Sequence, residues 1–193
     1  TSFVLQNDSH VNEKLTIKTG DSDDFVVLDK AVVVRGLNIN TGTGATSVSM
    51  HDGGIGGERV GSKVKIYPST ISQSSSGWSF DGDATTVSID TVEIGALNIK
   101  LRPQDSLVTF NRVYVARNLS VSGQGGDDLI TLRDVRLDGS TAIKAGGGND
   151  IICFDESEVR GALSIDAGAG FDNVRMDTDL DNVVGEYLGP VKI

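Results

Sequence analysis

The chain has 193 residues, a formal net charge of -10, 24 glycines, 3 prolines and a single cysteine. That length suffices for one domain with a substantial core, and one cysteine excludes an intrachain disulfide. The acidity argues against nucleic acid and anionic lipid as partners, since both need a basic surface, and no apolar run is long enough for a transmembrane helix.

Thr1 to Glu13 precede the first regular repeat, and Phe3, Val4 and Leu5 are expected to cap its open end. His10, in this segment, reads as an exposed polar residue. From Leu15 a pattern begins, Leu15, Ile17, Gly20, Asp24, Val26, Leu28 and Val33, and it returns 22 residues later as Leu37, Ile39, Gly42, Thr46, Val48 and Met50. The stretch from His51 to Ser62, HDGGIGGERVGS, is too rich in Gly for a core strand and is expected to form a loop. Val64 and Ile66 supply a delayed strand, Pro68 to Gly77 a second loop, and Trp78 restarts the repeat as a space-filling residue. The expected layout is a single domain over residues 1–193. It comprises an N-terminal cap (1–14), two rungs (15–50), an insertion with one strand (51–77), further rungs (78–176) and a C-terminal cap (177–193).

The period is clearest from Leu97 to Met176. In rows of 22 residues, Leu97, Leu119, Thr141 and Leu163 share a column, as do Ile99, Val121, Ile143 and Ile165. Val108, Ile130, Ile152 and Val174 form a third, Phe110, Leu132, Phe154 and Met176 a fourth, and Val115, Leu137 and Val159 a fifth. Within each row the apolar residues alternate at period two, the spacing of strands, and turn formers separate them. A row of this length cannot bury its own apolar face, but stacked rows can. The pattern therefore predicts an all-β fold, a right-handed single-stranded parallel β-helix of about seven rungs of 22 residues with three short strands each. The hand follows from the preference of parallel crossovers.

A turn recurs at one corner of the rows: GDSDD (Gly20 to Asp24), GTGAT (Gly42 to Thr46), QGGDD (Gln124 to Asp128), GGGND (Gly146 to Asp150) and GAGFD (Gly168 to Asp172), with the shared form G-x-G-x-D. Asp128, Asp150 and Asp172 fall in one column with Asp24 further up the chain, and Thr46, Thr85 and Ser106 stand between. These turns resemble the calcium-binding RTX repeat G-G-x-G-x-D-x-U-x, best at Gly146 to Cys153, although the motif occurs here once per 22 residues rather than every nine. The chain as a whole resembles Gly/Asp-rich β-solenoid repeats of bacterial surface and secreted proteins. The resemblance implies Ca²⁺ as a cofactor, with Asp128, Asp150, Asp172 and Asp24 as metal ligands. Two readings of the column stand side by side. Stacked carboxylates about 5 Å apart repel by roughly 3 kcal/mol at an effective dielectric near 20, and a cation between them relieves this. Alternatively, each carboxylate accepts hydrogen bonds from backbone N–H groups of neighbouring turns.

No Ser-His-Asp or nucleophile-elbow pattern is present, the two histidines, His10 and His51, are expected outside the regular rungs, and Cys153 is expected to face outward between Ile152 and Phe154. Arg112, Arg133 and Arg136 read as outward strand residues paired with nearby carboxylates. No catalytic residues are assigned. The expectation is a non-enzymatic extracellular or cell-surface module, structural or adhesive, that displays loops 51–63 and 68–77 and one face to a carbohydrate or another protein. The alternative is a polysaccharide lyase or hydrolase, which would gather Asp or Glu with Lys or Arg in a groove.

Overall fold

The structure, a computed structural model, describes residues 1–20, 23–33, 36–40, 46–51, 54–55, 63–67, 85–176, 186–187, 189 and 191–193. Within them the chain is an all-β parallel solenoid. Three strands per coil build three parallel sheets of eight strands each. The first sheet runs from Ser2–Leu5 through Ser106–Asn111 to Asn173–Met176, the second from His10–Val11 through Tyr114–Val115 to Glu186–Tyr187, and the third from Lys14–Lys18 through Leu119–Ser122 to Val191–Lys192. Every strand lies beside its equivalent in the next coil, because an isolated coil leaves both strand edges and one apolar face open to water.

The sequence columns are the ladders of the structure. Leu119 pairs with Leu97 and Thr141, Ile143 with Val121 and Ile165, and Phe154 with Leu132 and Met176. Alternate residues point inward, and Val108, Phe110, Ile130, Leu132, Ile152 and Phe154 are fully buried. One coil is a residue short, since Ile94 pairs with Val115 at a separation of 21 whereas Leu97 pairs with Leu119 at 22. The difference is absorbed in the turn between Ile94 and Leu97, so the inward parity of both strands survives.

Three expectations change. Ser2–Leu5, expected as part of a cap, pairs in parallel with Phe25–Leu28, and His10–Val11 pairs with Val32–Val33. Phe3 and Leu5 pack against the core with the same alternation as later coils, so this segment adds one more strand to the first sheet. Gly54–Ile55, inside the expected first loop, is a two-residue strand that places Ile55 between Val33 and Ile94. The second sheet needs only two residues per coil, too few for alternation to register in a Gly-rich sequence. The histidines also belong to the coils, for His51 ends the strand Thr46–His51 and His10 opens a strand. Val64 and Ile66 take their expected places, between Leu37 and Leu97 and between Ile39 and Ile99. Trp78, loop 68–77, and most of loop 51–63 and of the segment after Met176 lie outside the described residues.

A feature with no signature in the hydrophobic pattern is the corner between the first and second sheets. Lys30, Thr91, Arg112, Asp134 and Glu156 occupy it in successive described coils, all with φ between 47° and 53°. Their N–H groups point along the stack, where those of Lys30, Thr91, Arg112 and Asp134 donate to the carbonyl of the next coil at 2.9–3.0 Å. A left-handed residue turns the chain there while keeping the ladder continuous, and this outweighs the cost for a side chain other than Gly or Asn.

Candidate functional site

Two places concentrate polar side chains: the aspartate corner between the third and first sheets, and the outer face of the second sheet.

The glycines shape the corner. Gly146 and Gly148 have φ of +122° and +126°, and a Cβ on Gly148 would stand 2.1 Å from the carbonyl oxygen of Gly126 in the previous coil. On Gly170 it would stand 1.7 Å from the Gly148 oxygen. Glycine is required here both for the left-handed backbone and for the close passage of one coil over the next.

With the turns stacked in register, their N–H groups face the adjacent coil, and side-chain oxygens accept them. Asp150 Oδ1 accepts from the Asp128 N–H at 2.8 Å, and Asp172 Oδ1 from the Asp150 N–H at 3.0 Å. One residue earlier a second ladder runs the other way. Asp105 Oδ1 accepts from the Asp127 N–H at 2.7 Å, Asp127 Oδ1 from the Asn149 N–H at 2.7 Å, and Asn149 Oδ1 from the Phe171 N–H at 3.0 Å. The first ladder is the carboxylate column legible in the sequence. The second was missed, although Asp, Asp and Asn recur at 105, 127 and 149 with the same 22-residue step.

Register places all four expected metal ligands in one column. It makes Asp128, Asp150 and Asp172 neighbours and leaves Asp24 four coils from Asp128, beyond Thr46, Thr85 and Ser106. At strand spacing that is about 19 Å, so Asp24 and Asp128 cannot share an ion. Asp24 instead accepts a hydrogen bond from the Thr19 hydroxyl. Among the described residues no group of three or more His, Cys, Asp or Glu side chains is placed to hold a metal ion.

Asp128 is 2 % exposed, and neither of its carboxyl oxygens meets a donor at hydrogen-bonding geometry. Burial, and then the Asp150 carboxylate, push its pKa up to about 8, while Ser106 next to it in the column holds the rise back. The Ser106 hydroxyl is itself committed to the Gln104 carbonyl oxygen at 3.1 Å. Burial raises Asp150 as well, against the stabilising N–H of Asp128.

On the outer face of the second sheet, Glu93, Tyr114, Arg136 and Glu158 form one ladder. The Arg136 guanidinium lies 5.3 Å from the centre of the Tyr114 ring, within cation–π range. The Tyr114 hydroxyl donates to Asp138 Oδ2 at 2.7 Å and Arg136 Nε to Asp138 Oδ1 at 3.0 Å. Arg160 donates to Glu158 and stands 3.7 Å from Asp138. Partial burial works against ionisation of Asp138, but the Tyr114 hydroxyl and Arg136 hold its pKa below the usual carboxylate range. Bonding to Asp138 raises that of Tyr114. Beside this ladder Asp90 receives Asn111 Nδ2 at 2.7 Å and Arg112 Nη2 at 3.0 Å, and His51 Nε2 lies 3.1 Å from its other oxygen. A shallow open depression follows these side chains, lined by Arg112, Tyr114, Asp134, Arg136, Glu156 and Glu158. The expected pairing of Arg112, Arg133 and Arg136 with carboxylates is present, and Cys153 faces outward between Thr131 and Arg175.

The arrangement can neutralise charge along the coil axis and lock one coil to the next. Asp138 and Glu158 are paired with Arg136 and Arg160, and among the described residues the depression beside them is open. The fold defines the chain as a parallel β-solenoid with a repeat of about 22 residues. Searches against protein-family models, curated proteins and solved structures found no match.

Proposed function

We propose that the protein is a non-enzymatic structural or adhesive module of the Gly/Asp-rich bacterial solenoid kind, secreted or held at a cell surface, whose rigid coils present a face to a carbohydrate or another protein. One observation carries this reading. The Arg–carboxylate cluster of the second sheet, the grouping a polysaccharide-active enzyme would need in a groove, is self-paired and lies in an open depression. General acid–base work requires a carboxyl or base held ready for substrate. Asp138 is instead saturated by Tyr114 and Arg136. The Asp ladders support the same reading, for they bond turn to turn and stiffen the rod.

The test is incubation with neutral and uronate-containing polysaccharides, with and without millimolar calcium, following new reducing ends and the ultraviolet absorbance of unsaturated sugars. No turnover is expected. Turnover that Arg136→Ala abolishes without loss of fold would establish the enzyme reading instead.

A further inference from the structure

Arginine and lysine are sorted to different faces. Arg112, Arg133, Arg136 and Arg160 stand on or next to the second sheet, each beside a carboxylate. Lysine gathers on the third sheet. Seven of the eight lysines in the sequence fall in its strands, all in the columns that alternate with the inward residues: Lys14 and Lys18 in the first coil, Lys63 and Lys65 in the third, Lys100 in the fourth, Lys144 in the sixth and Lys192 in the eighth. Lys14, Lys18, Lys100 and Lys144 are exposed. Lys63, Lys65 and Lys192 are in register with Ala96, Asn98 and Ser164. Asp166, beside Lys144 in the next coil, is the single acidic residue in those eight strands, so 26 of the 27 Asp and Glu residues lie elsewhere. Between the lysines the middle column carries Thr16, Asn38, Asn98, Ser120 and Ser164. Acid returns at the borders, as Asp23, Asp105 and Asp127 at the aspartate corner and as Glu13 and Asp138 opposite, where Arg117 and Arg160 also stand. The middle column is about 8 Å from either strand end, one Debye length at physiological salt.

We infer that the outer face of the third sheet binds an acidic polysaccharide, a chain of sugars bearing carboxylate or sulfate groups, laid along the solenoid axis. The inference rests on the reading of the protein as a module that presents a face to a carbohydrate, and it names the class of ligand and the face. Coils about 4.8 Å apart spread the lysines over about 34 Å from the first to the eighth, a length that suits a polymer and not a single small anion. A lysine ammonium is a compact charge on a flexible stem, able to follow acid groups along a chain. The Asn amides and the Ser and Thr hydroxyls between them donate and accept hydrogen bonds, as sugar hydroxyls do. The same composition argues against a protein partner, since protein interfaces draw on aromatic residues, Met and Arg and are depleted in Lys and Ser. These strands hold one aromatic residue, Tyr67, and no Arg. Stacking of nucleic-acid bases asks for aromatic side chains as well, and insertion into lipid for an apolar outer face. The net charge of -10 opposes any polyanion at long range. At physiological ionic strength, however, charges on the far side of the coil lie beyond the Debye length of about 8 Å, and the lysines govern contact.

Isothermal titration with polygalacturonate, dextran sulfate, neutral dextran, duplex DNA and phosphatidylserine vesicles tests this. At least one of the two acidic polysaccharides is expected to bind and neutral dextran not to, with affinity falling at least tenfold between about 0.05 and 0.5 M salt. Lys18→Glu and Lys144→Glu, at exposed positions five coils apart, are each expected to weaken binding severalfold and together at least tenfold. Lys30→Glu makes the same change of charge at the one lysine away from this face, also exposed, and should weaken binding less than twofold. Melting temperatures equal to that of the wild type separate loss of binding from loss of fold. Failure of both acidic polysaccharides to bind overturns the inference. So does neutral dextran that binds as well, tighter binding of DNA or vesicles, or a Lys30→Glu effect as large as that of Lys144→Glu. Cleavage of a bound polysaccharide would instead end the non-enzymatic reading and leave the binding face standing, so the two readings fail on different measurements.

Discussion

Asp150 Oδ1 sits 2.8 Å from the backbone N–H of Asp128, one coil earlier and 22 residues back along the chain. This bond gives the recurrent aspartate a structural task, to accept a turn N–H that no sheet carbonyl reaches. Asp150→Ala leaves that buried N–H without a partner, at about 1–3 kcal/mol. Asp150→Asn keeps an acceptor oxygen and should lose about half as much or less. Urea denaturation of the two variants beside wild type measures the difference, and equal losses would show that charge, not the acceptor, matters.

Asp128 makes stability depend on pH. Its pKa is raised in the folded protein from 3.8 to about 8, so the folded state holds a proton that the unfolded state has released. Its contribution is therefore complete below about pH 4 and is lost as pH rises toward 8, at no more than about 1.4 kcal/mol per pH unit. Asp150 acts in the same direction. Asp90 and Asp138, with lowered values, act with the opposite sign, and only below the usual carboxylate range. Asp128→Asn should flatten the slope between pH 5 and 8 and leave a protein more stable than wild type at the alkaline end.

The turn glycines divide sharply. Gly148→Ala forces a Cβ to 2.1 Å from the Gly126 oxygen at φ +126° and should cost several kcal/mol or prevent folding. Gly147→Ala, one residue away, meets nothing closer than 3.9 Å. It should change stability by less than about 1 kcal/mol, toward stabilisation, because alanine restricts the unfolded chain. Thermal melts of the pair test whether close coil passage, rather than turn flexibility, demands glycine.

Thr91 is β-branched at φ 53°, where branched side chains are strained. Thr91→Asn should raise stability by about 0.5–1 kcal/mol. The gain is net of the Thr91 hydroxyl contacts with Asp90 and Arg112, both 3.2 Å, which are exposed and worth little. A melt unchanged or lowered would mean that those contacts offset the strain.

With each Asp150 and Asp172 Oδ1 already accepting a backbone N–H, the melting temperature in millimolar calcium should coincide with that in chelator. A calcium-dependent rise lost in Asp150→Asn would place a cation in the corner.

Much of the fold was legible because strand stacking converts a spatial repeat into a sequence period. The pairing of Ile143 with Ile165 follows from a 22-residue step and alternating burial alone. The two-residue strands of the second sheet were less legible. Gly54–Ile55 has no alternation to show, and its place comes from the neighbours Val33 and Ile94. Of the candidate site, the Asp128, Asp150 and Asp172 column was visible as recurrence. Its hydrogen-bonding partners were not, because direction along the stack leaves no mark on residue spacing. The left-handed corner was hidden for a related reason: Lys30, Thr91, Arg112, Asp134 and Glu156 share a backbone angle and nothing in chemistry.

By itself, then, the order of residues determined the coil, its period, its inward faces and the stacking of like upon like, since those follow from apolar spacing and the need to cover it. The tertiary structure decided which way each aspartate turns, that the arginines and carboxylates of the second sheet neutralise one another, and that charge on the first sheet's outer face gathers in one column, Asp29, His51, Asp90, Arg133 and Asp155. Those outcomes depend on distances between coils, and contacts across 22 residues of chain are set by how the coils lie, not by what each coil contains.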